Sequence, residues 1–238
     1  MRPIGFSTGA LAKGDFAQGL HLQRASERIN AIELSALRDH ELPALASAFP
    51  SLELRAFAYV SVHAPSRLQT LDEETVLDLL LRLPESWPIV AHPEILGTPS
   101  LWRRLGARLC LENMDDRKTT GRTPGELREL FERFPDASFC LDLGHARQID
   151  PTMASALGML REFGGRLRQV HVSEVGARGE HLPLGATARL SFAQVAHRLP
   201  PECPLIIESV IPADAMEREL GVVSSALETS HLPMAMAY

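Results

Sequence analysis

Between residues 58 and 208, six short apolar segments each end in a side chain that binds metals. They are Ala58-Tyr-Val-Ser-Val-His63, Pro88-Ile-Val-Ala-His92, Leu109-Cys-Leu-Glu112, Ser138-Phe-Cys-Leu-Asp142, Arg168-Gln-Val-His171 and Pro204-Leu-Ile-Ile-Glu208. Each run has the length and near-continuous apolar character of a strand buried on both faces. Parallel barrels carry their chemistry at the carboxyl ends of such strands. With 30 acidic residues and nine histidines in 238, one position in roughly six is of this kind, and buried carboxylates are rarer still. Six consecutive strand ends of one chemical type therefore constrain the chain to a parallel architecture with a polar cluster at one end.

The rest of the chain fits the same plan. Ile4–Ser7 reads as a first strand, with a loop at Thr8-Gly9, and Asp15 caps a helix from Phe16 to Ile29. A second strand, Ala31–Leu34, precedes a helix over Glu41–Phe49, and the third strand covers Leu54–Val62 and leads into His63. Asp72 caps a helix with Val76, Leu79, Leu80 and Leu83 on one face. The fourth strand ends at His92, a short helix follows over Ser100–Leu105, and the fifth strand is Arg108–Glu112. Thr123-Pro-Gly-Glu126 places an N-cap Thr, a Pro at the first helical position and a Glu at the third, a capping box. Ala137–Asp142 is the sixth strand, and Asp150 caps a helix from Pro151 to Phe163. Leu167–Val172 is the seventh, followed by a long loop over Ser173–Arg189 and a helix from a Ser191 cap to Arg198. Leu205–Glu208 is the eighth, a last helix covers Ala213–Leu227, and an apolar tail, His231–Tyr238, is expected to dock on the barrel. Eight β/α alternations at about 30 residues each predict an α/β protein, a single (β/α)₈ TIM barrel with short loops spanning residues 1–238.

Composition narrows the partners. A net charge of −6, from 24 basic and 30 acidic residues, gives no global positive field, so a small-molecule substrate is expected and nucleic acid is not. Cys110, Cys140 and Cys203 lie in or beside strands, are odd in number and show no pairing pattern, which points to a reducing cytoplasm. The first residues run straight into a strand without a signal-peptide apolar region, and no run reaches membrane-spanning length.

Glu112, Asp142, His171 and Glu208 end strands five to eight, which are barrel neighbours. Three carboxylates and an imidazole suit a divalent ion such as Mn²⁺, Co²⁺, Fe²⁺ or Zn²⁺, and without a cation they would repel one another. His63 and His92 end strands three and four. They either hold a second ion bridged by Glu112 or are hydrogen-bonded pocket walls. His145, in Asp142-Leu-Gly-His145, follows a glycine that permits a sharp turn. It is a ligand of another ion, an orienter, a substrate hydrogen-bonder or a plain loop histidine. His181 lies on the long loop after strand seven. The donor set thus provides one ion site and enough histidines for two or three ions. His21, His40, His197 and His231 fall on helices or the tail without a role, and Trp87 and Trp102 read as packing residues.

On these residues the chain resembles the xylose isomerase-like TIM barrel superfamily, which includes endonuclease IV and the ketose epimerases. The resemblance implies that Glu112 (in Leu-Glu-Asn113), Asp142 (in Asp-Leu-Gly-His145), His171 and Glu208 (in Ile-Ile-Glu) form the single-metal site of the sugar isomerases and epimerases. His171-Val-Ser-Glu-Val-Gly-Ala-Arg178 resembles the epimerase segment in which a Glu and an Arg follow the metal histidine. It implies substrate binding by Glu174 and Arg178, with His145. In endonuclease IV the same four positions belong to a three-zinc cluster, and His63, His92, His145 and His181 match its further histidines. The chain departs from that family at Gly179-Glu-His181, where Asp-x-His is expected, at His92-Pro-Glu94 in place of His-Pro-Gly, and in its short loops. It departs from the epimerases at Lys118, where a second carboxylate is expected after Glu112.

The expected function is a divalent-metal-dependent isomerase or epimerase of a small sugar or sugar phosphate, with Glu112 and Glu208 moving the proton beside a polarised carbonyl. The alternatives are an endonuclease IV-like multi-metal phosphodiesterase, a multi-iron oxidative enzyme acting on a peptide partner, and a non-catalytic metal-stabilised binding barrel.

Overall fold

Eight parallel strands pair edge to edge until the last meets the first. The computed structural model describes residues 2–228; the expected docking of His231–Tyr238 lies outside the described residues. The strands, in chain order, are β1 (Ile4–Ser7), β2 (Ala31–Ser35), β3 (Tyr59–His63), β4 (Ile89–Ala91), β5 (Leu109–Glu112), β6 (Ser138–Asp142), β7 (Leu167–Val172), β8 (Glu174–Val175), β9 (His181–Leu182) and β10 (Leu205–Ile207). The barrel closes in the order β1-β10-β7-β6-β5-β4-β3-β2, while β8 and β9 form a separate antiparallel hairpin. Register aligns the functional ends: Asp142 is opposite His171, and His63 is opposite Ser35.

Helices cover the outside: α1 (Thr8–Ala12), α2 (Phe16–Arg24), α3 (Leu42–Ala48), α4 (Glu73–Leu81), α5 (Pro99–Trp102), α6 (Pro124–Arg133), α7 (Leu143–Ile149), α8 (Ala154–Phe163), α9 (Ala186–Ala196) and α10 (Met216–Leu227). Their starts follow the predicted caps at Asp15, Asp72 and Thr123, whose side chains accept from the backbone N–H of Gln18, Thr75 and Glu126. Only half of the predicted capping box forms, because Glu126 reaches past Thr123 to the N–H of Arg122 at 2.6 Å. The α4 face that packs inward is Val76, Leu77, Leu80 and, just beyond the helix, Leu83. These meet a core with Trp102, Phe6, Phe134 and Phe139. Inside the barrel Val90, Cys110 and Cys140 form a smaller cluster of their own. They lie two residues before His92, Glu112 and Asp142, and so on the same face of their strands.

The structure corrects several boundaries. Thr8-Gly9 begins α1 rather than a loop, and α2 stops at Arg24. The third strand starts at Tyr59, since Leu54–Phe57 folds into a turn closed by Phe57 N–H to Leu54 O. The Asp150 carboxylate accepts from Thr152 and Ser155, but α8 itself begins at Ala154, after Met153 at φ 60°. Ser191 is a buried residue inside α9, not its cap; the expected long loop is the β8–β9 hairpin and the first turn of α9. After Asp142 the chain enters α7 directly, with Asp142 as its N-cap. Gly144 serves close packing rather than a turn, since a Cβ there would lie 2.5 Å from Ser173 O.

One loop is tied from below. Asp39, 1% exposed, accepts from the backbone N–H groups of Gln69, Thr70 and Leu71 at 2.6, 2.5 and 2.9 Å, and from the Thr70 hydroxyl at 3.0 Å. It thereby holds the segment that follows His63. Among the described residues no helix is long and apolar enough to cross a membrane.

Candidate metal centre

Glu112 sits at the middle of the carboxyl end of the barrel, buried, with four imidazoles around its two oxygens. Oε2 lies 3.2 Å from His63 Nε2 and 3.3 Å from His92 Nε2. Oε1 lies 3.3 Å from His171 Nδ1 and 3.4 Å from His145 Nδ1. Donor atoms of Glu112, Asp142, His171 and Glu208 all fall within 4.8 Å of one another, as do those of His63, His92 and Glu112. Donor atoms of His63, His171 and Glu208 meet the same distance, so the sequence-predicted ligands form three overlapping groups, two of which share Glu112.

The neighbouring backbone holds these groups in place. Asn113 clamps the end of β6, donating to Asp142 O at 2.9 Å and accepting from Asp142 N at 2.7 Å. Its own carbonyl accepts from His145 Nδ1 at 2.9 Å. Asp142 spends Oδ1 on the N–H of His145 at 2.7 Å, while its buried Oδ2 has no hydrogen-bond partner.

The protonation pattern tests whether these residues fit a cation. His63 Nδ1 meets the carbonyl of Ala64 at 2.7 Å, which only accepts, so a neutral ring would aim a bare Nε2 lone pair at the Glu112 carboxylate. That contact is favourable only with a positive charge between or upon the two groups. In the ion-free arrangement a proton supplies it: against burial, Glu112 raises the His63 pKa to about 9. His171 is similar, with Glu33 at Nε2 and Glu112 and Glu208 at Nδ1, and is held well above the usual imidazole range. Burial pushes Glu112 up, but His171, His63 and His92 override it and hold the carboxyl well below its ordinary value. Burial, with Glu112 and Glu208 nearby, raises Asp142 to about 6, and burial takes His92 down to about 4. A buried cluster with facing acceptors, an unsatisfied carboxylate oxygen and imidazole ligands fits divalent ions.

Above the cluster lies a cavity of about 160 Å³, lined by His63, His92, Glu112, His145, His181 and Glu208 among others. Asp142 and His171 lie beneath it, fully buried. His181 Nδ1 is 2.8 Å from Ser173 Oγ and 3.5 Å from Glu208 Oε2, and its ring is 5.6 Å from that of His145. Among the described residues His145 and His181 join no metal-binding group.

The family model described as xylose isomerase-like TIM barrel matches residues 99–225. The chain belongs to that family. No curated protein matches the sequence. Among solved structures, endonuclease IV from Thermus thermophilus is similar at 20% identity and TM-score 0.62, over 96% of this chain and 100% of that one. A 3-keto-D-glucoside 4-epimerase from E. coli is similar at 12% identity and TM-score 0.59, over 94% and 100%. A putative sugar phosphate isomerase/epimerase from Anabaena variabilis is similar at 13% identity and TM-score 0.57, over 93% and 88%. At these identities the likeness is one of fold.

In this xylose isomerase-like barrel two candidates inferred from resemblance stand away from the cavity. Glu174 accepts from Arg147 Nη1 at 3.2 Å and Gly185 N at 2.8 Å. Arg178, its side chain 90% exposed at the hairpin tip, pairs with Glu180. Neither lines the cavity. Conversely, Glu33 belongs to the site. It is fully buried in the middle of β2, accepts from Gln169 Nε2 at 2.7 Å and Ser61 Oγ at 3.1 Å, and faces His171 Nε2 at 3.1 Å. A carboxylate inside the apolar run Ala31–Leu34 was the signal. By taking the Nε2–H of His171, Glu33 turns the Nδ1 lone pair toward Glu112 and Glu208. Glu33→Gln is therefore expected to weaken divalent-metal affinity by about 10- to 100-fold, measured by chelator competition, with an unchanged circular dichroism spectrum. Affinity equal to wild type would remove Glu33 from this role.

Proposed function

We propose that the protein is a dinuclear metal-dependent hydrolase of small phosphate esters. The observation that carries the reading is the position of Glu112, with His63 and His92 at one oxygen and His171 at the other. His63, His92 and Glu112 would hold one ion, and Glu112, Asp142, His171 and Glu208 the other. When bound, a pair of divalent ions supplies charge for a phosphoryl group in transfer and activates water at neutral pH.

The remaining steps belong to the chain. Asn113 and the α7 N-terminus hold Asp142 and His145 in fixed orientations. Since His145 Nδ1 is engaged by Asn113 O, its Nε2 is the nitrogen available to a substrate or leaving-group oxygen in the cavity. The buried floor formed by Asp142 and His171 keeps bulk water from the underside of the cluster. The endonuclease IV name of one structural relative is consistent with phosphoester chemistry.

A second reading, the isomerase or epimerase of a small sugar or sugar phosphate, is favoured by the completeness of the four-donor group without His63 and His92. In that reading Glu112 and Glu208 move the proton. Against it, both Glu112 oxygens already face imidazoles.

The two readings separate in one experiment. Metal-reconstituted protein is expected to hydrolyse a chromogenic phosphate monoester or diester, and His92→Ala is expected to slow that reaction by about 10²-fold or more. No hydrolysis, with interconversion of ketoses that survives His92→Ala, would favour the isomerase and sink the hydrolase.

A further inference from the structure

We propose that Arg117 anchors an anionic phosphoryl oxygen of the substrate, at the edge of the cavity above the metal centre. The identity of the anion rests on the hydrolase reading; the placement of the arginine rests on geometry alone. Arg117 follows β5 and lines the same cavity as Glu112, His145 and His181. Its Nε donates to Asp115 Oδ2 at 2.9 Å, Nη2 donates to the same oxygen, and Nη1 donates to the carbonyl of Arg178 at 3.0 Å. A guanidinium has five N–H groups. These contacts use three of them, which leaves one N–H on each terminal nitrogen and a plane that cannot rotate away.

Two neighbours show that the position is built. Asp115 is buried, 1% exposed, and its Oδ2 is 4.0 Å from His145 Nε2. The other nitrogen of that ring is 3.4 Å from Glu112 Oε1, so the guanidinium is one carboxylate and one imidazole from the metal centre. On the far side is Gly179, at φ +77°. A Cβ there would lie 1.8 Å from Arg117 Cζ and 2.2 Å from both terminal nitrogens. The guanidinium fills the space that any side chain at 179 would need. The departure at Gly179-Glu-His181 noted in the sequence thus has a structural counterpart, an arginine fork where a carboxylate was expected.

Other cations near the site are less suited to the task. Lys118 lines the cavity, but its ammonium is paired with Glu94. Arg178 points away and pairs with Glu180. Arg117 is the better match for an oxyanion, since its guanidinium is held by Asp115 and the Arg178 carbonyl and keeps one N–H on each terminal nitrogen.

The test uses metal-loaded protein and inorganic phosphate as probe, with affinity read by calorimetry and metal content measured in parallel. Arg117→Gln is expected to weaken phosphate binding at least about tenfold while leaving the metal content unchanged. Arg117→Lys, which keeps the charge but not the fork, is expected to recover only part of the loss. Gly179→Ala, which leaves net charge unchanged but displaces the guanidinium, is expected to match Arg117→Gln. Arg178→Gln is expected to bind phosphate like wild type. Wild-type affinity in Arg117→Gln, or a loss confined to Arg178→Gln, would overturn the assignment. A protein that holds one ion yet loses phosphate with Arg117→Gln would keep this inference and refute the dinuclear reading.

Discussion

Glu112→Ala is expected to empty both metal positions at once and to abolish turnover, a loss of about 10³-fold or more in rate. Glu112 belongs to both groups proposed to hold an ion, His63, His92 and Glu112 in one and Glu112, Asp142, His171 and Glu208 in the other, whereas the other members of those two groups belong to one each. The same change leaves the protonated ring of His63 buried without its principal counter-charge and takes one of three carboxylates from His171, which keeps Glu208 and Glu33. Removing one partner of a buried ion pair costs about 3–5 kcal/mol, so the ion-free variant is also expected to unfold at lower temperature. The His63 pKa of about 9 gives this a pH dependence. Its folded value lies above the ordinary imidazole value near 6.5. The His63–Glu112 contribution to the ion-free protein is thus fully present below about pH 6.5 and is lost as pH rises through 9. Metal binding runs the other way, since the ligand must surrender that proton. Ion uptake by wild-type protein at pH 7 is expected to release protons, as calorimetry in buffers of different ionisation enthalpy would register. Glu112→Ala with normal metal content would place the shared ligand elsewhere.

Asp39→Ala is expected to lower stability by about 3–4 kcal/mol, the largest effect foreseen for a residue outside the cluster. Five donors converge on this buried carboxylate, four from residues 69–71 and the backbone N–H of His40. Hydrogen bonds to a charged group contribute about 1.5–3 kcal/mol each, and they are not additive. Opposed by burial, the backbone N–H groups of Leu71, Thr70 and Gln69 hold the Asp39 carboxyl far below the ordinary aspartate value. Its stabilisation is therefore complete above about pH 4 and is lost as pH falls toward the folded value. Chemical denaturation of wild type and Asp39→Ala at pH 7 and at pH 3 checks both parts. A difference below about 1 kcal/mol at pH 7 would mean that the 63–72 segment does not depend on this tie.

The barrel and most of its candidate ligand set were legible because one rule governs both. A strand of a parallel barrel is mostly apolar, and the side chains at its carboxyl end carry the chemistry. His63, Glu112 and Asp142 end their strands, His92 and Glu208 lie one residue beyond theirs and His171 one before the end of β7, whereas Glu33 lies mid-strand in β2. What escaped sequence reading lies where contacts are long-range. The seven-residue α7 begins on a ligand, so Asp142 had to be read as cap and donor together. The hairpin β8–β9 turns Arg178 outward and brings Gly179 against Arg117, 62 residues away in the chain. Glu174 is claimed by Arg147 and Gly185, a contact no local pattern encodes. Local spacing marked which side chains end strands, but not which loop side chains fold back over them.

Metal analysis of the purified protein by inductively coupled plasma mass spectrometry, alongside His92→Ala at equal concentration, bears most directly on a shared carboxylate between two ions. A bridged pair predicts two divalent ions per chain in wild type and one in His92→Ala. One ion per chain in both would contradict it.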